Sequence, residues 1–181
     1  MRNSLLLVLL LATFGALALT GGAAAHSPHL AMQSPPRTGE TFSWLSELVE
    51  LDENARMITV EARVVGEQAR AEFGRLKTGE RVMLTWSGLD KYSDAIWRAD
   101  RFTGNKSEER FTFPVEFVSF DGGRHYVTFK VQIPANSMAN LKALKPGEWV
   151  TATSPHGPSA NSTPVTMVEP YVKSTSATRS N

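Results

Sequence analysis

The chain has 181 residues, with 19 Lys and Arg against 18 Asp and Glu, and it contains no cysteine. This near balance excludes a general electrostatic attraction to nucleic acid or to anionic membranes. Without cysteine there are no disulfide bonds, so packing alone holds the fold, and a chain of this length buries one good core or two small ones.

The first 25 residues have the pattern of a secretory signal peptide. Arg2 precedes the apolar run 4–20, and small residues follow at 21–25, which predicts cleavage after Ala25. An uncleaved membrane anchor is the alternative, because the apolar stretch approaches the ~20 residues that span a bilayer. The glycines and alanines at its end favour cleavage. We therefore expect a periplasmic or secreted protein without stable membrane insertion after cleavage, beginning with a flexible leader over residues 26–41.

Residues 42–102 and 111–172 are two copies of one pattern, and such internal repetition is a guide to architecture. Positions that match without a gap are Phe42, Glu47, Val49, Asp52 and Thr59 with Phe111, Glu116, Val118, Asp121 and Thr128. One residue is then missing from the second copy, and it is regained before the last strand. The matches keep their order along the whole copy, so the sequence predicts an internal duplication.

Each copy is predicted as strand, strand, helical segment, strand, strand. Residues 57–64 alternate between apolar and polar, as a half-buried strand requires. The turn Asp121-Gly122-Gly123 predicts a hairpin in the second copy, with glycine in the positive-φ region. Short apolar periodicities at 69–76 and 138–144 predict the helical segments, with Pro134 at the N1 position of the second. Both segments are followed by a glycine that turns the chain into the next strand.

These elements predict an all-β fold with short helical segments. Closure into a small barrel would remove the unpaired edges of short antiparallel strands. We expect two tandem barrels, 42–102 and 111–172, joined by a polar linker at 103–110. One pseudo-twofold barrel or sandwich is the alternative. The small polar residues 173–181 are predicted to be disordered.

The order of elements in 118–153 carries a resemblance. A strand-turn-strand opening followed by the phrase Leu-Lys-Pro-Gly-Glu at 144–148 and another strand is similar to OB-type small β-barrel domains exported by bacteria, here in tandem. Periplasmic copper-chaperone barrels belong to these domains, and double-psi and swapped-hairpin barrels have a similar repeat unit. The resemblance implies a barrel fold and an exported protein. Copper-chaperone barrels hold the metal with His, Trp and Met, and neither copy carries that set at a shared spacing.

The leader contains candidate copper ligands. Cleavage after Ala25 would leave His26 at the new N-terminus, with His29 and Met32 close behind. An amino terminus and imidazole nitrogens suit Cu(II). The alternative is a proline-rich flexible leader that happens to begin with histidine, because Pro28 at its third position blocks chelation by the amide nitrogen. His125 and His156 are candidates to complete such a site from the second copy.

A hydrolase is the third hypothesis. A Ser/His/Asp set can be assembled from Ser154, a histidine and an aspartate, but no nucleophile elbow singles out that serine. The other candidate members are His125, His156, Asp90, Asp94, Asp100 and Asp121. The sequence therefore predicts that the protein is not an enzyme and has no cofactor, apart from the copper alternative.

The aromatic residues support a different prediction. Trp86 precedes a polar turn that reaches Tyr92, where aromatic side chains can face a glycan, a peptide or a protein. Burial of Trp86 in the core is the alternative. We predict an exported, non-enzymatic binding or interaction module with a protein, peptide or glycan partner in the envelope and no nucleic acid. The positions shared by the copies are turns and core, so function is expected where the copies differ or meet.

Overall fold

The computed structural model describes residues 39–87, 95–104, 111–156 and 163–172. These residues form mostly β-structure with two short helices, as predicted. The strands are β1 Thr41–Asp52, β2 Met57–Arg63, β3 Arg81–Trp86, β4 Ile96–Arg101, β5 Thr112–Asp121, β6 Tyr126–Gln132, β7 Trp149–Pro155 and β8 Met167–Pro170. The helices are α1 Glu67–Phe73 and α2 Met138–Leu141, and a 3-10 turn, Ala135–Ser137, precedes α2. Pro134 precedes this turn instead of beginning an α-helix.

All eight strands lie in one antiparallel sheet with the order β4-β3-β5-β6-β2-β1-β7-β8. Copy 1 supplies β1 to β4 and copy 2 supplies β5 to β8. Replacing each strand by its equivalent in the other copy reverses this order and leaves the sheet unchanged. The sheet therefore has an internal pseudo-twofold relation, with β2 and β6 paired at its centre.

The prediction of two tandem barrels is wrong. The β1–β2 hairpin of copy 1 pairs with β7 of copy 2, and the β3–β4 hairpin of copy 1 pairs with β5 of copy 2. Each copy thus completes its hydrogen-bond ladders with strands of the other copy. The alternative is correct about internal symmetry, but the sheet is not closed into a barrel.

Each copy contacts the other through the glycine turn that precedes its third strand. Gly79 and Gly147 have φ of 88° and 91°, a conformation that glycine adopts without a steric penalty. The Gly79 N–H donates to the Phe117 carbonyl and the Gly147 N–H to the Leu48 carbonyl, both at 2.8 Å. Leu48 and Phe117 each begin an irregularity in their strands' pairing, so each turn binds a bulge of the other copy.

The hairpin turns are also equivalent, but the positive φ is not where the sequence predicted it. Asp121 Oδ1 accepts the N–H groups of Gly123 and Arg124, both at 2.9 Å. The hydrogen bond from Arg124 is the main cause that lowers the pKa of the Asp121 carboxyl. The positive φ falls on His125 at 59° instead of on Gly122 or Gly123. The two hydrogen bonds to Asp121 hold residues 121–124, and the residue with positive φ is His125, which follows them.

Side chains of the helical segments cover the outermost strands. Gln68 of α1 donates from Nε2 to the Ala99 carbonyl at 2.6 Å and accepts the Ala99 N–H at Oε1 at 3.0 Å. At the equivalent place in copy 2, the Ser137 hydroxyl accepts the Val168 N–H at 2.8 Å. The outer backbone groups of β4 and β8 are thus partly satisfied by side chains, which reduces the number of unpaired groups at the two edges of the open sheet.

The apolar residues of both copies form one core, as a single sheet requires. Its largest fully buried side chains are Trp44, Trp86, Phe73, Phe113 and Phe129. None of the helices in the described ranges is long and apolar enough to cross a membrane. The predicted signal peptide, most of the leader and of the linker, and the tail lie outside the described residues.

Candidate functional site

The three candidate copper ligands of the leader, His26, His29 and Met32, and the candidate ligand-binding residue Tyr92 lie outside the described residues. Within the described ranges, no three His, Cys, Asp or Glu side chains are grouped so that they could hold a metal ion. Copper binding by the leader stays a prediction from the sequence.

Trp86 is a core residue in this structure, with 2% of its surface exposed. Its ring lies 5.1 Å from that of Trp44 and 6.2 Å from that of Phe113, measured between centroids. The Trp86 Nε1–H group is buried and has no hydrogen-bond partner within the described ranges. Ligand binding by Trp86 together with Tyr92 stays a prediction, but the Trp86 side chain packs inward instead of facing solvent.

The two central tryptophans differ in one hydrogen bond, which gives a first testable prediction. The Trp44 indole donates to the Ser154 hydroxyl at 2.8 Å, whereas the Trp86 indole has no partner among the residues that the structure describes. We expect Trp44→Phe to lower the free energy of unfolding by about 1–2 kcal/mol more than Trp86→Phe, because only the first change removes a buried hydrogen bond. Urea denaturation of both variants measures this difference. Equal losses in both would contradict the role assigned to Ser154.

The residues of the hydrolase hypothesis have structural partners. The Ser154 hydroxyl accepts from the Trp44 indole and donates to the Pro164 carbonyl. His156 is stacked on Phe42, and its Nδ1 accepts the Phe111 N–H at 3.1 Å. The other members of that set are placed as follows: Asp100 pairs with Arg98, Asp121 lies in its turn, His125 Nδ1 lies 3.3 Å from Arg70 Nη1, and Asp90 and Asp94 lie outside the described residues.

The outer face of β1, β7 and β8 is the exposed surface that we name the Trp149 face. Successive side chains of a strand point to opposite sides, so one set from these strands lines the core and the other faces outward. The outward set is Ser43, Leu45 and Glu47 on β1, Trp149, Thr151 and Thr153 on β7, and Met167, Glu169 and the following Tyr171 at β8. These nine residues form one surface three strands wide.

Two large apolar side chains are exposed on the Trp149 face. Trp149 is 45% exposed and Met167 is 39% exposed. Trp149 lies directly opposite Glu47 on β1, and its carbonyl accepts the Tyr171 N–H at 2.8 Å. The indole therefore stands between a carboxylate on one neighbouring strand and a phenol ring on the other. Tryptophan is among the residues that contribute most to binding at protein contacts, so the Trp149 ring is a candidate contact residue.

The equivalent outer face in copy 1, which we name the Arg81 face, is built differently. Its residues are Thr112, Pro114 and Glu116 on β5, Arg81, Met83 and Thr85 on β3, and Arg98, Asp100 and the following Phe102 at β4. Its centre is buried at Thr112, Pro114 and Met83. On the Trp149 face the equivalent positions Ser43, Leu45 and Thr151 are partly or fully exposed. The two copies thus share a backbone but not a surface.

Trp97 is the other exposed tryptophan, and its surroundings are different. It is 61% exposed and lies in β4 at the irregular step between Thr85 and Trp86 of β3. The residues on either side of it in the strand are the buried Ile96 and the half-buried Arg98. Trp97 is thus an exposed ring outside the Trp149 face, and it provides a matched comparison for Trp149.

The sequence analysis did not single out Trp149, although the signal was present. In the run 149–154, the core-facing Val150, Ala152 and Ser154 alternate with Trp149 and two threonines. The alternation assigns Trp149 to the polar, outward side of the strand. Aromatic residues were expected in the core, so this outlier on the polar side was missed.

Comparison with known proteins gives no assignment for this face. No protein-family model matches the chain, and no curated protein and no solved structure is significantly similar to it. The functional conclusion therefore depends on the residues of this chain alone.

Proposed function

We propose that this chain is a non-enzymatic binding module of the bacterial envelope and that it contacts its partner through the Trp149 face. The predicted signal peptide supports the compartment. The balanced charge of the chain supports a partner other than nucleic acid.

One observation carries the proposal: copy 2 exposes Trp149 and Met167 on a face whose equivalent in copy 1 has arginines at these two positions. Indole and thioether groups lose unfavourable contact with water when a partner covers them. Tryptophan is also among the residues that contribute most to binding energy at interfaces. A folded scaffold common to both copies, with an indole and a thioether exposed at two positions where the other copy has arginines, is the arrangement expected of a binding surface.

Binding of the wild-type chain to arrays of envelope glycans and short peptides tests this function. We expect Trp149→Ala to weaken binding to the recognised probe at least about tenfold, which corresponds to ~1.4 kcal/mol. Trp97→Ala is the matched control, because it removes an exposed ring of the same size from β4, and it is expected to bind as the wild type does. Thermal denaturation of both variants checks that they are folded.

The function would be contradicted if no probe bound, or if Trp149→Ala bound every probe as tightly as the wild type. Equal weakening by Trp149→Ala and Trp97→Ala would also contradict it, because the effect would not then belong to this face.

A further inference from the structure

The Arg81 face contains its own cations. The Arg98 Nε donates to Asp100 Oδ2 at 2.7 Å. The Arg81 guanidinium lies 4.1 Å above the centre of the Phe102 ring, and Arg81 stands directly opposite Glu116 on β5. Each of the two carboxylates of this face thus has an arginine beside it, and one arginine also covers an aromatic ring.

The Trp149 face keeps the carboxylates and the aromatic ring but lacks both arginines. Glu47 and Glu169 take the places of Glu116 and Asp100, and Tyr171 takes the place of Phe102. Trp149 and Met167 stand where Arg81 and Arg98 stand in copy 1. Among the described residues, Glu47 and Glu169 form no ion pair, so their charges are not neutralised within this part of the chain.

The three strands of this face carry charge of one sign. The strands β1, β7 and β8 contain no lysine, arginine or histidine, and their ionisable residues are Glu47, Glu50, Asp52 and Glu169. Such a surface attracts cationic groups and repels phosphates, sulfates and anionic lipids.

From this comparison we infer that the partner of the Trp149 face is a cationic protein segment whose arginine side chain supplies the charge that Arg81 supplies on the other face. The inference rests on the proposed function and specifies its partner. The guanidinium would contact the Trp149 or Tyr171 ring with its flat face and direct N–H groups to Glu47. Arginine suits this place better than lysine, because its planar group stacks on aromatic rings and its fork of donors fits a carboxylate.

A set of labelled peptides of one length and one glycine-serine backbone tests this partner. They contain two arginines, two lysines, two citrullines or two glutamates, and citrulline keeps the shape of arginine without its charge. We expect affinity to fall in the order arginine, lysine, citrulline, with no binding of the glutamate peptide. Binding of the arginine peptide is expected to weaken at least about tenfold between ~0.05 and ~0.5 M salt, because salt screens exposed charges.

Two double variants locate the binding on this face. Trp149→Arg with Met167→Arg rebuilds the cations of the Arg81 face, and it is expected to abolish binding of the arginine peptide while the chain remains folded. Glu47→Gln with Glu169→Gln keeps the aromatic surface and removes only its charge, and we expect affinity to fall at least about tenfold. Trp97→Ala is again the control that binds normally.

Failure of this inference can be separated from failure of the proposed function. If an uncharged glycan bound in a manner that required Trp149 and did not respond to salt, the cationic partner would be wrong and the binding function would stand. Equal affinity for the citrulline and arginine peptides, or no binding of the arginine peptide, would also overturn the inference. If Trp149→Ala changed no binding of any probe, both would be wrong.

Discussion

A chain that ends at Gly104, and thus contains only copy 1, is expected not to fold as a monomer. Three of its strands would lose a neighbour, because β1 pairs with β7, β2 with β6 and β3 with β5. The core would also be divided, since the rings of Trp44 and Phe113 stack at 5.0 Å across the two copies. Without this burial the cost of ordering the chain exceeds the gain. Far-UV circular dichroism and urea titration should show no cooperative unfolding.

Mixing this fragment with a second one that begins at Phe111 is expected to restore the fold as a one-to-one complex. Light scattering gives the stoichiometry, and tryptophan fluorescence reports the return of the buried indoles. Full-length protein cut within 105–110 after folding is the control, because it contains the same two pieces in the native arrangement. A homodimer of the first fragment would also agree with the strand pairing described above. In such a dimer, β1, β2 and β3 of the second molecule would take the places of β5, β6 and β7. A cooperatively folded monomer would contradict it.

Gly66→Ala is expected to destabilise the protein strongly, because Gly66 is buried against the backbone of β4. A Cβ added at Gly66 would stand 1.6 Å from the carbonyl oxygen of Trp97 and 2.6 Å from its carbonyl carbon. These atoms belong to the backbone of β4 between Ile96 and Arg98, which are both paired with β3, so this carbonyl has little freedom to move away. We expect a loss of about 3 kcal/mol or more in the free energy of unfolding, measured by urea denaturation.

Gly74→Ala is the matched control for this change. Gly74 follows the last residue of α1 with φ of −64°, and the nearest atom to an added Cβ there would be 3.6 Å away. Alanine fits this conformation and restricts the unfolded chain, so stability should be unchanged or higher by up to about 1 kcal/mol. A loss of less than about 1 kcal/mol for Gly66→Ala would show that β4 does not approach Gly66 as closely as described.

The local elements were predictable from the sequence because their signals are local. The alternation at 57–64 identifies β2, and the glycines at 79 and 147 identify the turns before β3 and β7. The pairing of strands was not predictable in the same way. Val82 and Val150 follow the same pattern, so β1 has no local reason to prefer β7 over β3. Because the two copies have the same pattern, a strand can pair equally well with a strand of its own copy or with the equivalent strand of the other copy. Only the order of strands in the folded sheet shows which pairing is used.

The candidate surface was predictable only in part. The alternation in β7 assigns Trp149 to the outer side, but it does not say which carboxylates lie beside it. Glu47 is far from Trp149 along the chain, and only the register of β1 against β7 places them opposite each other. The lack of arginine on this face is informative only because Arg81 and Arg98 lie beside the carboxylates of the equivalent face. The strand pairing shows that these residues share one face.

The side chains that cover the ends of the sheet restrict how a partner can be recognised. Many proteins bind peptides by adding a strand to an exposed sheet edge, where main-chain groups provide the affinity. Here Gln68 already occupies both backbone groups of Ala99, and Ser137 occupies the N–H of Val168. A peptide strand added at either edge would have to break these side-chain hydrogen bonds. A partner that bound as proposed would thus have to be recognised by its side chains and not by its backbone.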